Sequence, residues 1–189
     1  MREPHPQILA KGSNFIGLLR GIESARPGVR PEIVRHLSRE LASAIDYGQI
    51  VAVGWYPAEW YSELHAAIAR AVGGGPELAR RLGREAALAD FKTMHRLVLS
   101  MLTAETVFGQ AHRIMSLYWK GGKIELLAVS RQHGALRFSG WTGFSRLVWE
   151  DLIGSIEAIV GLCAGHAVTC RPLSSLDNAS GVDLEVRWS

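Results

Sequence analysis

The chain has 189 residues, of which 48% are hydrophobic and 21% are charged, as in a packed globular domain. A chain of this length buries roughly 70% of its unfolded surface, so it needs no disulfide or metal to stay folded. Its two cysteines suit a reducing compartment, which predicts a cytoplasmic protein. The net charge is only +3 and basic residues alternate with acidic ones, so no nucleic-acid partner is predicted. No apolar stretch reaches the roughly 18 residues of a membrane span.

The first part of the sequence predicts helices. We expect residues 1–7 to be a flexible N-terminus and residues 8–120 to be the helical half of a single domain, 8–189. Apolar residues recur every four positions from Ile33 to Ile45, which predicts one continuous helix there. Prolines placed to begin helices, and glycines placed to end them, give about six helices in all. Three of the other five helices are predicted to start near Ser13 or Asn14, at Pro57 and at Pro76. The remaining two are predicted to cover residues 91–102 and 105–119.

The pattern changes after Gly121-Gly122, and residues 121–189 predict a sheet. Two strands joined by a hairpin turn are followed by a long helix and two further strands. The predicted bounds are 123–129, 135–139, 145–163 for the helix, 168–173 and 182–188. Helices followed by β-β-α-β-β indicate an α+β fold with an antiparallel sheet.

Aromatic residues are concentrated in one segment that is a candidate ligand-binding wall. Trp55, Tyr56, Trp60 and Tyr61 place four large rings within seven residues, which suits a pocket or an interface anchor. The alternative is that they attach a helix to the core. Tyr118 and Trp119 end another predicted helix and are placed to face the same cavity.

Three histidines are further candidates for ligand contact. His65, His95 and His112 lie on three different predicted helices, each among apolar neighbours. They lack the paired spacing of a zinc site, whereas haem needs only one axial histidine in an apolar pocket. Packing or hydrogen bonding is the alternative role for each.

The helix predicted over 145–163 is apolar almost all round, more than a helix lying on a sheet requires. Its second face must be covered by the helical half, by a bound hydrophobic molecule or by another subunit. Trp149, Ile153 and Val160 are the predicted interface residues.

No motif indicates catalysis, so an enzyme is not predicted. The chain has no Gly-x-Ser-x-Gly elbow, and nothing in the sequence places a base beside Cys163 or Cys170. Gly73-Gly74-Gly75-Pro76 lacks the following Lys-Ser or Lys-Thr of a phosphate loop and is interpreted as a turn.

Several landmarks, from about residue 8 to 189, resemble a family of uncharacterised proteins present in many copies in myxobacteria. These landmarks are Lys11-Gly12, Trp55-Tyr56-Pro57 with Tyr61, Leu64 and Ile68, Gly83-Arg84 with Ala86 or Ala87, Trp119-Lys120-Gly121-Gly122, and Val186-Arg187-Trp188. The helices-then-ββαββ plan is in turn similar to the superfamily of 4-vinyl reductase domains, haem-nitric-oxide-binding domains and TRAPP subunits.

That resemblance implies a small molecule, a haem or an acyl chain held between helices and sheet, or a dimerising scaffold. The family's Tyr-x-Ser-x-Arg haem signature is absent, and its cysteine pattern survives only as Cys170. We therefore predict no cofactor and no metal, and no catalytic residue carries over.

Three hypotheses follow from the sequence. The first is a non-enzymatic sensory or regulatory domain that binds a hydrophobic small molecule or acyl chain between helices and sheet. The second is a homodimeric protein-interaction or scaffold module. The third is a haem-based gas sensor with His95 or His112 as axial ligand.

Overall fold

The computed structural model describes residues 7–90, 103–164, 167–177 and 179–189. The helices are α1 (Gly12–Ala25), α2 (Arg30–Val34), α3 (Arg39–Asp46), α4 (Ala58–Val72), α5 (Pro76–Asp90), α6 (Ala104–Gly109), α7 (Ala111–Met115) and α8 (Arg146–Ala164). The strands are β1 (Leu9–Lys11), β2 (Trp55–Pro57), β3 (Trp119–Lys120), β4 (Lys123–Ser130), β5 (His133–Ser139), β6 (Val168–Pro172) and β7 (Val182–Trp188). None of the helices in these ranges is long and apolar enough to cross a membrane.

The larger sheet confirms the predicted α+β fold. Its strand order is β4-β5-β7-β6, and every neighbouring pair is antiparallel. Leu136 pairs with Leu184 on the face that packs against the helices, and both are buried. Arg137 pairs with Asp183 on the opposite face, where their side chains form two hydrogen bonds. This two-residue alternation is why the sequence located these strands to within a few positions.

Two of the predicted helices are wrong as continuous elements. The 33–45 stripe is divided into α2 and α3, because Ser38 accepts a hydrogen bond from the Leu41 amide and so caps a new helix. Glu63 of α4 binds both the amide and the hydroxyl of Ser38 and holds this break in place. The predicted 105–119 helix is divided into α6 and α7, and its last residue belongs to β3. The predicted helix over 91–102 lies outside the described residues.

A second, three-stranded sheet was not predicted from the sequence. Its order is β2-β1-β3, with Ala10 of β1 opposite Tyr56 on one side and Trp119 on the other. The strands have only two or three residues each, too few to show an alternating pattern. The sheet joins the start of the described chain to the segments before α4 and after α7.

Helix α8 forms the centre of the fold, between α5 and the larger sheet. Glycines let α5 and α8 meet at their backbones. A Cβ atom added at Gly154 would lie 1.9 Å from the carbonyl oxygen of Arg80, and one at Gly83 would lie 2.0 Å from that of Asp151. The Arg80 guanidinium also binds Glu157 of α8, at 2.5 Å from Nη2 to Oε1.

The predicted interface residues lie inside this core. Trp149 and Ile153 are 0% exposed and Val160 is 2% exposed. They have no surface to offer a partner in this structure, because α5 covers one side of α8 and the sheet covers another. Trp149 packs against Phe138 and Phe144 and donates a hydrogen bond to the Ala179 carbonyl oxygen, so the sheet half of the chain covers it.

Candidate ligand-binding crevice

A crevice opens along α8 between the helical half and the sheet. Its first part, the helical crevice, lies between α1, α4, α5, α7 and α8 and has about 80 Å³ of free space. Its second part, the sheet-side crevice, lies between α6, α7, α8 and β5 and has about 50 Å³. Four side chains line both parts, which therefore adjoin each other: Ile114, Met115, Ile156 and Ile159.

The sheet-side crevice is apolar throughout. Besides the shared residues it is lined by Val107, Phe108, Ala111, Leu136, Phe138 and Val160. None of these side chains carries a charge or a strong hydrogen-bonding group. This part of the crevice suits an apolar ligand surface.

The helical crevice ends at a buried polar cluster made of Tyr61, His65 and Asp151. Tyr61 and His65 are one helical turn apart on α4, and their rings meet edge to face at 4.8 Å between centroids. The Tyr61 hydroxyl lies 3.4 Å from Oδ2 of Asp151, and Nε2 of His65 lies 3.6 Å from Oδ1. All three residues are at most 6% exposed.

Burial determines the protonation of this cluster. Burial raises the pKa of Asp151 to about 8 and lowers the pKa of His65 to about 3. The same cause, reinforced by the Asp151 charge, raises the pKa of the Tyr61 hydroxyl. At neutral pH both Asp151 and His65 are therefore uncharged. Their side chains are in contact as two neutral groups and do not form an ion pair.

Further polar groups line the helical crevice towards its mouth. The Asn14 side chain donates a hydrogen bond to the Tyr118 carbonyl oxygen, which also accepts one from the Lys11 amide. Burial raises the pKa of the Tyr118 hydroxyl to about 12. Burial also raises the pKa of Asp90, although the positive charges of Arg20 and Lys11 oppose this effect.

The structure brings only some of the predicted ligand-binding residues to this crevice. Tyr61, Tyr118 and Trp119 line it. Tyr56 points elsewhere: its hydroxyl accepts a hydrogen bond from the Val51 amide at 2.8 Å and donates one to a neighbouring carbonyl oxygen.

The rest of the aromatic segment also lies outside the crevice. Trp60 stacks on the ring of Tyr56, and Trp55 lies beneath the ammonium group of Lys120, 4.3 Å from the ring centroid. Trp55, Tyr56 and Trp60 are therefore not among the residues that line either part of the crevice.

The three histidines lie in different surroundings. His65 is buried behind Asp151 and does not line the crevice itself. His112 is exposed on α7 and lines a different pocket, together with Lys120 and Gly121. His95 lies outside the described residues. Among the described residues, no cluster of three or more His, Cys, Asp or Glu side chains could hold a metal ion.

Sequence reasoning missed Asp151, Ser13 and Met115. Asp151 was the detectable one, since a carboxylate within a helix that is otherwise apolar all round is expensive to bury without a role. Ser13 was assigned only to a helix cap, but α1 has no side-chain cap, and the Ser13 hydroxyl lines the crevice. Nothing in the sequence distinguishes Met115 from a core methionine.

The fold is that of the H-NOX proteins. It matches an Fe(II) unliganded H-NOX protein from K. algicida with a TM-score of 0.73 and 10% identity, over 95% of this chain and 96% of that one. It matches an S. oneidensis H-NOX protein in the Fe(II)NO state with a TM-score of 0.67 and 14% identity, over 95% and 99%. A third match, a structure concerned with heme redox potential and porphyrin distortion, has a TM-score of 0.61 and 12% identity, over 95% and 99%.

No model of a known protein family matches the sequence, and no curated protein matches it significantly. The resemblance to the myxobacterial family is therefore unsupported, whereas the similarity to haem-nitric-oxide-binding domains is supported at the level of fold. The prediction that no cofactor is involved is wrong, because the proteins that share this fold are Fe(II) and haem proteins. It relied on one missing signature, which a fold can lose while its pocket remains.

The side chains that line the crevice are chemically suited to a haem, but the free volume of the crevice is too small for one. Its walls are apolar, and Met115, Tyr61 and Tyr118 supply thioether and phenol groups, both of which serve as haem ligands in proteins. Among the described residues no histidine lines it. Ligand pockets commonly have about 300–1,000 Å³, so a macrocycle would enter only if the walls of the crevice moved apart.

Proposed function

We propose that this protein is a sensory domain that holds a haem in the crevice along α8. One observation carries the proposal: two adjoining, largely apolar pockets lie between helices and sheet in a chain with the H-NOX fold. A haem bound there would supply an iron centre for a small gaseous ligand.

The chain's own residues would provide the surroundings of the haem. Ile114, Ile156 and Ile159, together with the aromatic and aliphatic side chains of the sheet-side part, would exclude water from the macrocycle. His95 and His112 are the proposed axial residues. Met115, one turn from His112 and already in the crevice wall, is the third candidate.

Haem reconstitution tests this proposal. Adding hemin to the purified protein should give a Soret band at one haem per chain. One of His95→Ala, His112→Ala or Met115→Leu should shift or abolish that band. His36→Ala is the matched control, because His36 is an exposed histidine that lines neither part of the crevice.

A second set of variants tests the location. Ile156→Trp fills the junction of the two crevice parts and should prevent haem binding. The proposal fails if no Soret band forms, or if it forms and remains unchanged in all three axial variants and in Ile156→Trp.

Direct binding of a hydrophobic small molecule or acyl chain is the second candidate. The absence of polar side chains in the described lining of the sheet-side crevice favours it. Native mass spectrometry of the protein as purified should then reveal an organic adduct that Ile156→Trp removes. A bare chain mass together with an intact haem complex would exclude this candidate.

The homodimer proposed from the sequence needs a surface other than Trp149, Ile153 and Val160. Edge strand β4 offers one, since Leu126, Leu127 and Val129 are each more than 40% exposed. Light scattering at micromolar concentration tests the dimer, and a monomeric mass would exclude it.

A further inference from the structure

We infer that the Tyr61–Asp151–His65 cluster is a binding site for the polar end of a small uncharged ligand, one that carries a hydroxyl or carboxamide group. The ligand would lie in the helical crevice and contact protein side chains directly. This site overlaps the crevice proposed to hold haem, but the inference does not require haem to bind, and its test uses protein without haem.

The first argument is that two buried atoms lack partners. In the part of the chain that the structure describes, Oδ1 of Asp151 and Nε2 of His65 make no hydrogen bond. Their separation of 3.6 Å is too long for a hydrogen bond to each other. Buried polar atoms are almost always paired, so a third group is expected to satisfy the carboxyl of Asp151.

The second argument is that Asp151 lines the crevice and its side chain is 8% exposed, although the unpaired Oδ1 atom is itself buried. Tyr61 also lines the crevice, and so does Ser13, whose hydroxyl also lacks a partner among the described residues. A single water needs roughly 10–15 Å³, whereas the helical crevice has about 80 Å³. The space is therefore sufficient for a group larger than one water, extending from the cluster along the apolar wall.

The third argument concerns charge and determines the ligand class. A neutral carboxyl group donates one hydrogen bond and accepts others, and the Tyr61 and Ser13 hydroxyls do the same. Such a set complements a hydroxyl or an amide. No lysine or arginine is among the residues described as lining this part, and the carboxyls of Asp151 and Asp90 both face it. Lys11 and Arg20 act on Asp90 at the mouth, so a carboxylate at the inner end would meet no cation.

Three matched fluorinated probes test the inference by ¹⁹F NMR on the protein without added haem. We expect 4-fluorophenol to bind about 3- to 10-fold more tightly than fluorobenzene, as one hydrogen bond to a buried group would give. We expect 4-fluorobenzoate not to bind. Tyr61→Phe and Asp151→Leu should abolish the preference for the phenol, while Asp151→Asn, whose amide also donates and accepts, should largely keep it.

Tyr56→Phe is the control, because it removes a hydroxyl that bonds outside the crevice. Thermal melting of each variant identifies loss of folding, and Asp151→Asn keeps the test informative if Asp151→Leu does not fold. Equal affinities for phenol and fluorobenzene, a preference that persists in Tyr61→Phe, or no binding of any probe, as for a site that holds only water, would each overturn the inference. A Soret band on hemin addition reports on the haem proposal separately.

Discussion

Replacing Asp151 by asparagine should change how the stability of this protein depends on pH. The pKa of Asp151 rises from 3.8 to about 8 on folding, and that of His65 falls from 6.5 to about 3, both through burial. Stability changes with pH in proportion to the difference in bound protons between the unfolded and folded states. The two shifts therefore combine in a way that can be worked out for each pH range.

Between about pH 4 and 6.5 the unfolded chain carries a proton on His65, and the folded chain carries one on Asp151. The proton counts are equal, so the pair contributes no slope. From about pH 6.5 to 8 the unfolded chain has lost both protons while folded Asp151 keeps its own. The free energy of unfolding should then fall by about 1.4 kcal/mol per pH unit, or about 2 kcal/mol over this range.

Urea denaturation followed by tryptophan fluorescence, at several pH values between about 5 and 8.5, measures this effect. The wild-type free energy of unfolding should be level up to about pH 6.5 and then decrease by about 2 kcal/mol. The His65 contribution cancels in the difference between wild type and Asp151→Asn, so this difference should decrease by about 1.4 kcal/mol per pH unit from about pH 5 to 8, or about 4 kcal/mol in all. Other titrating groups, including Asp90, are present in both proteins and cancel in the difference. Parallel curves across this range would show that Asp151 is ionised in the folded protein, and would refute the reasoning.

Three further predictions concern the core. Gly154→Ala should destabilise the protein by about 3 kcal/mol in the same denaturation assay, because the added Cβ would overlap the Arg80 carbonyl oxygen. Unchanged stability would mean that α5 and α8 are not in backbone contact. Glu157→Gln should cost about 2–3 kcal/mol, since the 7% exposed carboxylate accepts hydrogen bonds from Arg80 and from the Cys170 amide. A loss of less than about 0.5 kcal/mol, as is usual for an ion pair on the surface, would contradict this prediction. A thiol reagent should modify Cys163 in the native protein and Cys170 only after unfolding, because Cys170 is fully buried and burial raises the pKa of its thiol. Rapid reaction of both cysteines in the native protein would contradict this prediction.

The sequence was informative where a period could be seen. Val182, Leu184 and Val186 alternate with charged residues, and the strand they predicted is the observed one. The long apolar run beginning near Val148 likewise predicted α8. Such elements carry their own pattern because one face is buried against the rest of the chain.

The errors occurred where a local contact overrides periodicity. The stripe from Ile33 to Ile45 keeps its spacing across a break, which is made by the Ser38 cap on the Leu41 amide and supported by the distant Glu63. Strands of two or three residues, such as β1, have no period at all, and their pairing is decided by partners more than forty residues away.

The candidate site was predictable in part for a related reason. Tyr61 and Trp119 stood out because large aromatic residues are uncommon. Asp151 was detectable as a carboxylate in an apolar helix, but the sequence could not show that α4 places Tyr61 and His65 against it. Whether a polar residue in an apolar helix has a partner is a three-dimensional property, which spacing along one chain does not contain.

Because of the position of helix α7, opening of the crevice should affect the three-stranded sheet. The helix is five residues long and has no fully buried side chain, yet Ile114 and Met115 form one wall of the crevice. Three residues later the chain enters β3, which pairs with β1. A ligand that displaces α7 would therefore pull on β1, the central strand of the three-stranded sheet. Faster hydrogen exchange of the 9–11 amides upon ligand binding would reveal this linkage, and unchanged exchange would show that the wall moves independently of the strand.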